Sequence, residues 1–124
     1  MSIGINLIRV IPINLGTIAA SGSAESDVID LAKVANTHKY SLQYVCTGDG
    51  TVTLSWRSSN DGINFPAPAS NTIQAGVVST GGPGADGSYA CDTFAPQPSR
   101  FIKIRGDETG GADSATIVAY LAIQ

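Results

Sequence analysis

Between residues 3 and 15 the odd positions read Ile3, Ile5, Leu7, Arg9, Ile11, Ile13 and Leu15, while the even ones are mainly Ser2, Gly4, Asn6, Pro12 and Asn14. A period of two predicts an extended strand with one apolar face, because successive side chains point to opposite sides. Pro12 has no N–H to give to a ladder, so this strand belongs at a sheet edge or at a bend. Residues 1–15 fit an ordinary first strand and also an arm that leaves its own domain to lie along a neighbour.

Residues 26–35 are ambiguous. Val28, Leu31, Ala32 and Ala35 share one helical face and Ser26 is a fitting cap. The β-branched pair Val28-Ile29 and the short span weigh against a helix, and a strand over residues 28–31 followed by a loop is expected.

Tyr40, Leu42, Tyr44 and Cys46 then alternate with Ser41, Gln43 and Thr47. After Gly48-Asp49-Gly50, Val52, Leu54 and Trp56 alternate with Thr53, Ser55 and Arg57. Two alternating runs around a Gly-Asp-Gly turn predict a β-hairpin over residues 40–56. Trp56, the only tryptophan, falls on the apolar face as a core anchor.

The next turn is Ser58-Ser59-Asn60-Asp61-Gly62, where Asp-Gly suits a tight reversal; Ile63 and Phe65 are expected to fold back towards the sheet. Pro66-Ala67-Pro68 stops that run, and residues 73–78 form a weak strand. Residues 79–87, rich in glycine around Pro83, read as a mobile rim loop.

Short extended runs follow at 89–94, ended by Pro96 and Pro98, and at 101–105. After a Gly and Asp loop, Ala115, Ile117, Ala119, Leu121 and Ile123 alternate with more polar positions. The last two runs are expected to pair antiparallel. About eight short strands with close turns and no convincing helix predict an all-β chain: a two-layer antiparallel β-sandwich, jelly-roll-like, forming one domain over residues 1–124.

Composition narrows the functions this fold can serve. Only 14% of the 124 residues are charged, against roughly 25% in soluble domains, so Ser, Thr, Asn, Gln and Gly cover much of the surface. Such a surface repels its own copies weakly and suits an assembly. Seven scattered Lys and Arg and a net charge of −3 do not supply the basic cluster that nucleic acid requires. No stretch reaches the 18 or so apolar residues of a membrane span, and the amino end lacks a secretory pattern. Synthesis in the cytoplasm is therefore expected.

Chemistry is sparse. The two cysteines, Cys46 and Cys91, sit in apolar runs without a CxxC spacing, as buried thiols or as one cross-strand disulfide. His38 is the only histidine and has no ligand partners at zinc spacing. No nucleophile elbow or phosphate-binding glycine loop occurs. Asp49, Asp61, Asp86, Asp107, Glu108 and Asp113 lie in separate loops and read as solvated turn residues rather than a calcium site. No catalytic, cofactor or metal residue is expected, and the chain is not expected to be an enzyme.

Tyr40-Ser41-Leu42-Gln43 running to Thr47-Gly48, then Thr51 to Trp56 and Ser59-Asn60-Asp61-Gly62-Ile63-Asn64-Phe65, together resemble small β-sandwich structural proteins of tailed bacteriophages. Asp27-Val28-Ile29-Asp30-Leu31, Arg100 to Arg105 and Ala115-Thr116-Ile117-Val118 extend the resemblance over residues 27–124. Cys46 stands where that group often has Trp, and the aromatic after Asn-Asp-Gly is Phe65.

The resemblance implies a virion protein, either a capsid decoration protein of the cement or head-fibre kind or a tail or fibre component. Its partners would be capsid or other virion proteins and copies of itself, with no nucleic acid or membrane. Ile3, Ile5, Leu7, Ile11 and Ile13 are the candidate assembly interface. The 59–65 segment is also similar to a turn of discoidin-like modules, which leaves a carbohydrate-binding sandwich as the alternative.

Overall fold

The computed structural model describes residues 8–32, 39–85 and 89–124. Nine strands are present among them: β1 (Arg9–Ile18), β2 (Ser23–Glu25), β3 (Ile29–Asp30), β4 (Tyr40–Thr47), β5 (Val52–Ser59), β6 (Thr72–Val77), β7 (Ala90–Phe94), β8 (Phe101–Glu108) and β9 (Ala115–Ile123). One sheet has the order β1-β9-β4-β7, the other β2-β8-β5-β6, with β3 also on β8, and all pairings are antiparallel. The expected two-layer sandwich is present, and its strand order is that of a jelly roll whose second strand is broken into β2 and β3.

The alternating runs place the core where the pattern predicts. Leu42, Tyr44 and Cys46 from β4 and Ile117, Leu121 and Ile123 from β9 are buried opposite Val52, Leu54 and Trp56 from β5 and Ile102 and Ile104 from β8. Pro12 sits in an edge strand, as a residue without an N–H requires. At Asn14/Gly16 the β1 register slips by one against β9, and Gly16 has φ +63°. This bulge resets the parity, so Leu15 and Ile18, three residues apart, both point inward.

Pairing differs from expectation in two places. β4 and β5 are not a hairpin: β4 pairs with β7 and β9, whereas β5 pairs with β6 and β8. Likewise β8 and β9 lie in opposite sheets. Alternation fixes which side chains face the core, but a turn between two such strands can close a hairpin or carry the chain across the core, and the pattern is the same in both.

The crossing geometry is written in the glycines. Gly48 has φ +91°, and Gly50 donates its N–H to Ser114 O at 2.9 Å, so the β4–β5 corner lies directly on the β8–β9 corner. A Cβ on Gly50 would stand 2.8 Å from Asp113 O and 2.9 Å from Ser114 C and O. Gly50→Ala is therefore expected to destabilise the fold by about 1–3 kcal/mol, as other overpacked sites do, and urea denaturation measures it.

Three local expectations are corrected. Ile63 does not return to the sheet; it is 82% exposed at the tip of its turn. Residues 79–85 are not simply a rim loop, because Gly84 is buried against Tyr44 and Val77 and its carbonyl accepts from Cys46 N at 2.7 Å. The cysteines are neither two buried thiols nor a disulfide: both are free, Cys46 buried and Cys91 exposed. β7 turns Asp92 and Phe94 inward, beside Leu42 and Tyr40, which leaves Cys91 on the outer surface.

Candidate assembly face

The strand expected to form an interface divides into two faces. Ile13 is buried and Ile11 packs against the core, because their parity faces the opposite sheet. Those two residues hold β1 to its own domain and are corrected from interface to core. Ile3, Ile5 and Leu7 lie outside the described residues. The outward residues of this region are Ile8 and Val10, both more than 60% exposed.

Across the whole β1-β9-β4-β7 sheet the outward positions align in rows. Val10 stands beside Ala122, Ser41 and Thr93, and Pro12 beside Tyr120, Gln43 and Cys91. Asn14 neighbours Val118 and Val45, and Thr17 neighbours Thr116 and Thr47; the Thr17 and Thr116 hydroxyls are 2.8 Å apart. None of these side chains is charged. Only Arg9 and Asp92 carry charge in the strands of this sheet, and both have the core-facing parity. Asp92 is occupied there, accepting the Tyr44 hydroxyl proton; burial first, and Asp92 second, push the Tyr44 phenol above its ordinary range.

The opposite sheet is built otherwise. Its outer face carries Glu25, Asp30, Arg57, Lys103, Arg105 and Asp107. Arg105 meets Glu25 at 3.1 Å and Asp107 at 3.0 Å, and Lys103 meets Glu25 at 3.7 Å. The Lys103 ammonium also lies 4.5 Å from the centre of the Phe65 ring. The two faces thus differ in kind: one is a solvated ion-pair network, the other is uncharged with exposed Val10, Val118 and Tyr120.

Two loop carboxylates expected to be solvated are structural. Glu108, 4% exposed, accepts four backbone N–H groups. Ser21 (3.0 Å) and Gly111 (2.7 Å) bond to Oε1, and Thr51 (2.9 Å) and Gly110 (2.7 Å) bond to Oε2. These bonds, that from Ser21 foremost, lower its pKa from 4.5 to about 2.

Asp61 accepts from the Asn64 and Ile63 N–H groups, the Asn64 side chain and the Ser59 hydroxyl, which hold its carboxyl well below the usual range. The sequence signal was the glycine that follows each closely, Gly62 directly after Asp61 and Gly110-Gly111 two and three residues after Glu108, where backbone donors converge. Among the described residues no group of three or more His, Cys, Asp or Glu is placed to hold a metal ion; His38 and Asp86 lie outside them.

No protein-family model matches the chain, and no curated protein sequence matches it. Solved structures do. The chain is similar to the SPBc2 prophage-derived protein YomS, with 9% identity and TM-score 0.47, over 98% of this chain and 99% of that one. It is similar to the CBM22-1 xylan-binding domain of Paenibacillus barcinonensis Xyn10C, with 6% identity and TM-score 0.49, over 91% and 92%. It is also similar to a chain of the infectious bursal disease virus Gt strain, with 12% identity and TM-score 0.48, over 93% of this chain and 31% of that one.

Proposed function

We propose that the protein is a structural component of a tailed-phage virion, a capsid decoration protein of the cement or head-fibre kind. On this reading it binds the capsid lattice as a symmetric homo-oligomer, through the uncharged face of the β1-β9-β4-β7 sheet and the amino-terminal segment. The observation that carries the mode of action is the absence of charge from every outward position of that sheet. A partner covering this face desolvates no ion, whereas covering the opposite face would strip water from six, Asp30 of β3 among them. The class of particle rests on the sequence resemblance over residues 27–124.

Two variants test it. Removing residues 1–15 would strip Ile13 and Leu15 from the core, so the informative truncation removes residues 1–7 only. Val118→Glu combined with Tyr120→Glu places two charges at the centre of the face, at positions already exposed. Purified capsids lacking the protein are expected to take up the wild-type chain. Each variant is expected to lose at least about tenfold in apparent affinity while keeping its melting temperature. Undiminished occupancy by both variants sinks the proposal, and uptake by isolated tails but not capsids moves the protein to the tail.

A further inference from the structure

At the end of the sandwich away from Glu108, the β5–β6 connection and the β7–β8 connection enclose a cleft of about 460 Å³, within the roughly 300–1,000 Å³ of small-molecule sites. We propose that this cleft binds a neutral saccharide, a ligand contact separate from the virion face described above.

Its walls are fixed before any ligand arrives. The Asp61 carboxylate ties Ser59, Ile63 and Asn64 into one turn, and the Ser59 hydroxyl accepts from Gly62 N at 2.9 Å. Asn60 Oδ1 accepts from Arg100 N at 3.0 Å, which links the turn to the start of β8. A wall held this way loses little freedom on binding.

These internal bonds also determine what the cleft offers. Asn60 spends its oxygen on Arg100 and keeps its Nδ2 donors. Asn64 spends its Nδ2 on Asp61 and keeps its Oδ1 acceptor. Gln97 gives Nε2 to Ala69 O at 3.4 Å and keeps Oε1. Ser58 also lines the wall, but its hydroxyl is buried beneath the surface, with no partner among the described residues, and is not offered to a ligand.

The wall thus offers both donors and acceptors, and its one charge, the Asp61 carboxylate, is held in hydrogen bonds within its own turn. Pro66, Pro68 and Pro98 supply rigid C–H surfaces between them. Vicinal hydroxyls, each a donor and an acceptor, on a ring with an apolar face match this set. An anion would meet the Asp61 charge, and a cation would find a single carboxylate that already accepts four hydrogen bonds within its turn.

Ligand-observed NMR and calorimetry on the full chain test the assignment with cellobiose, maltose, lactose and N,N′-diacetylchitobiose; glucosamine and digalacturonic acid serve as charged controls. At least one neutral disaccharide is expected to bind at about millimolar Kd. Gln97→Ala and Asn60→Asp, the latter keeping an acceptor for Arg100 N while losing the Nδ2 donors, are each expected to weaken it at least about fivefold, the worth of one good hydrogen bond, with melting temperature and capsid occupancy unchanged. No neutral sugar bound at about 50 mM, preference for a charged control, or full affinity in both variants overturns the assignment. Capsid occupancy reads the virion proposal separately, so the two fail independently.

Discussion

Trp56→Ala is expected to lower stability by about 3–5 kcal/mol and the melting temperature by roughly 10–20 °C. The indole is 5% exposed on the central strand β5. It stacks on Phe94 of the opposite sheet with ring centres 5.2 Å apart, and Phe94 in turn lies 5.5 Å from the Tyr40 ring. Truncation opens a cavity between the layers and strips Phe94, only partly buried, of the ring that holds it.

The indole N–H has no partner among the described residues, so the expected effect is one of packing. Trp56→Phe separates the contributions: it keeps an aromatic plane against Phe94, sheds the unpartnered donor, and is expected to lose no more than about 1.5 kcal/mol. Chemical denaturation followed by circular dichroism measures both. A loss below about 1 kcal/mol for Trp56→Ala would show that the aromatic contact does not couple the sheets.

Trp56 also marks what the sequence makes legible. Its position in an alternating run identifies it as core without any knowledge of its neighbours, and the same holds for Leu42, Tyr44 and the odd positions of β9. Periodicity is a statement about one strand and the two sides it presents. Which strand lies beside it is a statement about the corner that follows. That is why the 40–47 and 52–59 segments were legible as strands while their assignment to different sheets was not.

Gly50 holds that information only through its approach to Ser114, a residue 64 positions away in sequence. Ile13 shows a related limit: an apolar residue in an edge strand reads alike whether its face meets its own core or a neighbour. The uncharged face was legible only in part. Its members come from four strands far apart in the chain, and their adjacency appears once the register of β1, β4 and β7 against β9 is known.

Glu108 is the residue whose environment departs most from its sequence reading, and its removal is expected to have the second large effect. Its carboxylate closes the rim at which both sheet-crossing corners meet. It receives N–H groups from the loop after β1, from Thr51 just ahead of β5, and from the loop after β8. Glu108→Ala leaves four donors without that acceptor and releases three loops together, with an expected fall in melting temperature on the order of 10 °C at pH 7. Glu108→Gln keeps the shape but offers one carbonyl oxygen in place of two carboxylate oxygens, and turns an NH₂ towards backbone donors, so it is expected to recover only part of the loss.

The sign of the pH dependence follows from the direction of the shift. The folded-state pKa, about 2, lies below the ordinary 4.5. The unfolded chain therefore takes up the proton first as acid is added, and the stabilisation, full above pH 4.5, declines as pH falls towards 2. Asp61, shifted the same way, adds a second contribution in the same acid range. The melting temperature of the wild-type chain is thus expected to fall steeply between pH 4.5 and 2, and that of Glu108→Gln distinctly less so. Parallel curves for the two proteins would mean that Glu108 does not hold the rim through its charge. The corners would then be kept together by backbone contacts such as Gly50 N–H to Ser114 O and Thr109 N–H to Thr51 O.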